Sequence, residues 1–92
     1  MSEFAEITIQ IKNLKGLHAR ATSEFVRCAE NFQSEITVIK KEVHVSGKSI
    51  MGLLMLGAGF GETLTIRATG EDAENAIATL KNLIEAKFGE PS

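Results

Sequence analysis

TLTIRATGEDAENAIATLKNLIEAKF, residues 63–88, contains both of the periods from which the fold is read. Leu64, Ile66 and Ala68 alternate with Thr63, Thr65 and Arg67, the period of two expected of a half-buried strand. Directly after it, Ala73, Ala76, Ile77, Leu80, Leu83, Ile84 and Phe88 recur at helical spacing and form one apolar stripe. Glu71 and Asp72 stand where acidic side chains complement the positive end of a helix, and Gly89 with Pro91 stops it. A one-sided strand followed at once by a one-striped helix describes a sheet with helices laid against one face.

The rest of the chain extends this pattern. Ile7, Ile9 and Ile11 alternate with Thr8 and Gln10 as a first strand, and Asn13 to Gly16 form a loop. From Ala19 to about Asn31, the positions Thr22, Phe25, Val26, Ala29 and Phe32 keep helical spacing. Glu35–Lys40, with Ile36 and Val38 on one face, turns through Lys40-Lys41-Glu42 into Val43-His44-Val45, a hairpin. Ser49 stands at the N-cap of a short helix from Ile50 to about Leu56, which Gly57, Gly59 and Gly61 end. The order is β-α-β-β-α-β-α, an α+β arrangement with an antiparallel or mixed sheet.

The 92 residues predict a single domain over 1–92, and by area scaling such a chain buries roughly 64% of its extended surface. With 43% apolar and 24% charged residues, the composition is that of an ordinary globular protein. A lone Cys28 excludes an internal disulfide and, with His18 and His44, has no metal-ligand spacing, so no metal or other cofactor is expected. His44 reads as a solvated strand residue and Cys28 as an inert thiol beside the helix stripe. No signal peptide is recognisable, which predicts a cytoplasmic protein. The net charge of −2 gives no electrostatic case for nucleic acid. Residues 49–61 carry no charge, but 13 residues are too few to insert through a bilayer, which takes roughly 20. Residues 12–48 are net basic and residues 62–90 net acidic.

Two glycine patterns do not carry nucleotide chemistry. Gly47-Lys48-Ser49 has the tail of a phosphate-binding loop, but Glu42 occupies the required upstream glycine position. Gly57-x-Gly59-x-Gly61 has the wrong spacing for a dinucleotide fingerprint and follows a helix instead of a strand. The segment that remains is Gly16-Leu17-His18-Ala19-Arg20, which sets a histidine where the chain enters the first helix. Backbone N–H groups of a first turn lack internal partners and lie at the positive end of the dipole, so Ala19, Arg20 and Ala21 present a phosphate-compatible helix start. That environment disfavours imidazolium, and a neutral ring nitrogen is a nucleophile. Arg20 can fork onto phosphate oxygens, and Gly16 lets the backbone bend to expose the ring. A histidine that merely caps the helix is the competing reading.

Gly16-Leu17-His18-Ala19-Arg20, followed about thirty residues later by Lys48-Ser49-Ile50-Met51-Gly52, resembles HPr, the histidine phosphocarrier family of the bacterial phosphotransferase system. The resemblance implies an open-faced β-sandwich, four antiparallel strands covered on one side by three helices. It also implies that His18 takes a phosphoryl group from phospho-enzyme I and passes it to a histidine of an enzyme IIA, with Arg20 assisting. Such a protein is a carrier and not a stand-alone enzyme. Many sugar-transport members have proline after the arginine; Ala21 here matches branches associated with nitrogen regulation. A monomer is expected of a shuttle that presents one site to successive partners.

The short second helix has too many apolar residues for one face. Either all fill a small core, or Ile50, Met51 and Leu54, with Lys48, form a docking surface for partners. Ser49 is read as an N-cap, and the resemblance adds a regulatory reading, phosphorylation by an HPr kinase/phosphorylase that controls an interaction module.

Overall fold

The computed structural model describes residues 3–92. Four alternating segments become β1 (Phe4–Gln10), β2 (Glu35–Lys40), β3 (Val43–Ser46) and β4 (Thr63–Thr69), and the striped segments become α1 (Ala19–Ala29), α2 (Ile50–Leu56) and α3 (Ala73–Glu85). The strands form one sheet in the order β1-β4-β2-β3, and every neighbouring pair is antiparallel. The last strand in sequence is therefore central. Its Leu64, Ile66 and Ala68 stand opposite Ile9, Ile7 and Ala5 of β1, and Ile66 and Ala68 also stand opposite Val38 and Ile36 of β2. Opposed apolar side chains make one continuous inner face, against which the three helices lie. α3 packs on β1 and β4, and α1 packs against both α2 and α3. On the other face the Thr8 and Thr65 hydroxyls meet at 3.2 Å, and Glu6 accepts from Arg67 at 2.9 Å. This is the open-faced sandwich.

Two local expectations are corrected. α1 ends at Ala29, with Glu30 as its C-cap, two residues before Asn31. α3 ends at Glu85, although the apolar stripe runs on to Phe88. Lys87, Phe88 and Gly89 turn back in the left-handed region, with φ of 59°, 56° and 80°. For non-glycine residues this costs about 1–2 kcal/mol each, which burial of the Phe88 ring, only 3% exposed, offsets. Burial was legible from the stripe, whereas the break in the helix was not. Asp72, at the N-cap of α3, makes no side-chain cap bond to its own helix. Its carboxylate instead accepts the hydroxyl of Ser34 and the backbone N–H groups of Gln33 at 2.8 Å and Ser34 at 3.0 Å. Those bonds, led by the Ser34 hydroxyl, hold its carboxyl below the usual range. The helix start thus anchors the α1–β2 connection.

Candidate functional site

The loop before α1 is shaped by Gly16. Its φ is +64°, and a Cβ there would stand 2.5 Å from the Ala58 carbonyl oxygen and 2.8 Å from the Gly59 Cα. Only glycine meets both conditions. The close approach lets Leu17 donate its N–H to the Ala58 carbonyl at 2.9 Å. The loop is thereby fastened to the C-terminal end of α2, just beyond the Gly57 cap.

His18 follows with extended backbone (φ −80°, ψ −179°), and its ring makes no capping hydrogen bond. The His18 carbonyl accepts from Thr22 at 2.9 Å, so the backbone alone starts the helix. The structural-cap reading of the side chain does not hold. The ring points to Glu90, whose Oε2 lies 2.5 Å from His18 Nε2. The side chains are 29% and 10% exposed respectively, so the contact is shielded on the carboxylate side and open on the ring side.

Arg20, in the first turn of α1, joins the same group. Its Nη2 donates to the Phe88 carbonyl at 2.7 Å and to Glu90 Oε2 at 2.9 Å. Nε and Nη1 make no hydrogen bond among the described residues, and Nη1 lies 4.0 Å from Glu24. Glu90 Oε1 accepts from Asn13 Nδ2 at 2.9 Å, and the same amide donates to the Gly16 carbonyl at 2.9 Å. Burial works to raise the Glu90 carboxyl, but the donors from Asn13, His18 and Arg20 outweigh it and hold the group down to about 2. Leu14, Lys15, His18, Arg20, Glu90, Pro91 and Ser92 line an open cleft of about 530 Å³ at this place. Ala19 is exposed at the helix start, whereas Ala21 is fully buried.

Glu90 and Asn13 were not among the candidate residues. Glu90 meets His18 across 72 residues of chain, a separation no local period reports. Asn13 reads as an ordinary loop residue but is completely buried, and its Oδ1 has no partner among the described residues.

The second motif is built differently. Ser49 caps α2 with its own side chain, the Oγ accepting from Gly52 N at 3.0 Å. Of the apolar residues in α2, Leu53 and Leu56 are buried, whereas Ile50, Met51, Leu54 and Met55 are exposed, the two methionines by 68% and 77%. Ile50 with Leu54 and Met51 with Met55 are i, i+4 pairs and share a face. The all-core reading of this helix is thereby overturned, and Met55 belongs with the expected patch. Lys48 Nζ donates to the Phe32 carbonyl at 2.7 Å and keeps its positive charge.

Among the described residues, no helix is long and apolar enough to cross a membrane. A model of the PTS-HPr family, described as the PTS HPr component phosphorylation site, matches residues 5–86. The phosphocarrier protein HPr of Neisseria meningitidis serogroup A is 45% identical over 83 residues, 90% of this chain and 93% of its own. The phosphocarrier protein NPr of Shewanella violacea is 41% identical over 87 residues, 95% of this chain and 96% of its own. Among solved structures, HPr of Thermoanaerobacter tengcongensis superposes with a TM-score of 0.93 at 48% identity, covering 96% of this chain and 99% of that one.

Proposed function

The chain belongs to the HPr family of phosphotransferase-system phosphocarriers, and we propose that it accepts a phosphoryl group on His18 from phospho-enzyme I and passes it to a histidine of an enzyme IIA. The observation that carries this reading is the ring of His18. It starts a helix without capping it, reaches solvent, and has one nitrogen occupied by a carboxylate and the other without a hydrogen bond among the described residues. Ala19 and Arg20 supply first-turn N–H groups and the Arg20 fork supplies Nε and Nη1, all donors to phosphate oxygens. Only modest stabilisation is useful here, because a carrier that bound its phosphoryl group tightly would not release it. The protein acts as a cytoplasmic monomer, and the exposed face of α2 (Ile50, Met51, Leu54, with Met55) receives the partners in turn.

Intact mass after incubation with phosphoenolpyruvate and enzyme I tests the reading. One acid-labile phosphoryl adduct is expected on the wild type and none on His18→Ala. Absence of an adduct on the wild type with a competent enzyme I overturns it.

Ser49 supports a second, regulatory reading. Its hydroxyl is half-buried at one end of α2, and the His18 loop is tied to the other, roughly 10 Å away along a seven-residue helix. Phosphorylation by an HPr kinase would put about two negative charges beside Ile50 and Met51, disfavouring docking without touching His18. Incubation of His18→Ala with ATP and that kinase is expected to give an adduct that His18→Ala/Ser49→Ala does not show.

A further inference from the structure

We propose that Glu90 is the positioning residue of this carrier: it keeps the ring proton of His18 on Nε2 and so reserves Nδ1 for the phosphoryl group, a role that rests on the phosphocarrier reading above. The family match ends at residue 86, so Glu90 lies beyond it and its role is argued from this chain alone.

The geometry is specific. Glu90 Oε2 lies 2.5 Å from His18 Nε2 and 2.9 Å from Arg20 Nη2, and Oε1 lies 2.9 Å from Asn13 Nδ2. Both carboxylate oxygens are therefore fixed by donors, and an ionised carboxylate only accepts. The hydrogen between Glu90 and His18 belongs to the imidazole, which leaves the lone pair of the neutral ring on Nδ1. The chain reaches this placement through the left-handed turn of Lys87, Phe88 and Gly89, held at one point by the buried Phe88 ring and at another by the bond from Arg20 to the Phe88 carbonyl. Strained backbone beside a reacting group is where a positioning role is expected.

The consequence is a transfer in which no proton moves. The Nδ1 lone pair forms the new N–P bond as the P–N bond of the donor phosphohistidine breaks, its electron pair returning to the donor ring. His18 keeps its Nε2 hydrogen, the ring becomes cationic, and Glu90 balances that charge. On the onward step the Nδ1–P bond breaks, its electron pair returns to Nδ1, and a neutral imidazole leaves. A ring stripped of its Nε2 hydrogen would have to leave as an imidazolate, a far poorer leaving group. Lys15 and Arg20 bring positive charge to the same cleft, and Glu24 is paired with Arg27 at 3.2 Å and lies 4.0 Å from Arg20. Glu90 is the carboxylate that opposes them at the ring itself.

Nitrogen-15 NMR of histidine-labelled protein tests the placement directly. In the wild type, neutral His18 is expected with a hydrogen-bearing Nε2 and a bare Nδ1, whereas Glu90→Gln shows mixed tautomers and Glu90→Asp recovers much of the wild-type pattern. Onward transfer from the phosphorylated forms gives the second readout. Glu90→Gln is expected to transfer about tenfold more slowly toward alkaline pH and to approach the wild-type rate at the acidic end, as loss of an opposing charge at this distance implies. A folded Glu90→Gln protein with the wild-type tautomer and the wild-type pH profile overturns the proposal. A wild type that takes no phosphoryl group overturns the carrier reading instead, and the tautomer comparison still decides whether Glu90 governs the ring.

Discussion

α1 and α2 begin on residues of similar backbone and opposite side-chain use. His18 and Ser49 are both N-caps in extended conformation, with φ of −80° and −116°. Ser49 turns its side chain inward onto Gly52 N and closes the helix locally. His18 turns its ring away, and the loop before α1 is held from outside by the Leu17 N–H on the Ala58 carbonyl. A helix start can be stabilised by its own cap or by tertiary contacts, and only the second leaves the cap side chain free for chemistry. The two motifs at Gly16-Leu17-His18-Ala19-Arg20 and Lys48-Ser49-Ile50-Met51-Gly52 are alike in position along a helix and different in physical construction.

The largest effect that sharpens this contrast is expected at Gly16. Gly16→Ala adds a Cβ at φ +64° and drives it to 2.5 Å from a backbone oxygen of the loop that anchors α1. Left-handed strain and backbone displacement together should cost about 3 kcal/mol or more. Chemical denaturation is the check. Gly57 shares the positive φ, but a Cβ there meets nothing within 4 Å. Gly57→Ala should therefore cost only the conformational part, about 1 kcal/mol. Equal losses in the two variants would show that the tertiary support of α1 has been misread.

A smaller difference separates the caps themselves. Ser49→Ala removes an acceptor from Gly52 N and is expected to cost about 1 kcal/mol, or about 4–8 °C in Tm for a chain of this size. His18→Ala removes no cap bond, so in a Glu90→Ala background, where the ring has no carboxylate to lose, it should cost no more than about 0.5 kcal/mol. With Glu90 present it also loses the ring–carboxylate bond and abolishes phosphoryl acceptance. Thermal unfolding of both variants beside the phosphorylation assay decides it. A His18→Ala change that destabilises the Glu90→Ala background as much as Ser49→Ala destabilises the wild type would restore the capping role that the geometry denies.

How much of this was legible in the sequence depends on the range over which each feature is encoded. The period of two in residues 63–69 and the stripe in residues 73–84 are local, and the structure has both. Ser49 capping α2 is local too, set by a polar residue just before an apolar run. The sheet order is not local, because nothing in β4 itself says that it inserts between β1 and β2. Phe88 shows the limit within one element: it keeps the i+4 spacing from Ile84, yet reaches the core by turning left-handed after α3 has ended. For the site, His18 and Arg20 were legible because a helix start imposes its chemistry on adjacent residues. Glu90 was not, because its partners lie 77, 72 and 70 residues earlier in the chain.

The subtlest expected effect concerns pH, and it again separates the two helix starts. The Glu90 carboxyl is held down to about 2, against an ordinary 4.5, by donors from Asn13, His18 and Arg20 that outweigh the opposing effect of burial. A depressed carboxyl contributes stability that is fully present above its ordinary range and is lost as pH falls toward the folded value. Between about pH 4.5 and 2 the wild type should therefore lose stability that Glu90→Gln does not have to lose. Asp72 and Glu62 are also held low, the first chiefly by the Ser34 hydroxyl and the second by the Gly59 N–H, so the acid limb flattens in Glu90→Gln without vanishing. Ser49 does not ionise and its partner is a backbone amide, so Ser49→Ala should lower the whole curve without changing its slope. Urea midpoints across the acid range, measured for the wild type and both variants, distinguish a slope change from an offset. Parallel curves for wild type and Glu90→Gln would show that the carboxylate at His18 is not held by the donors that surround it.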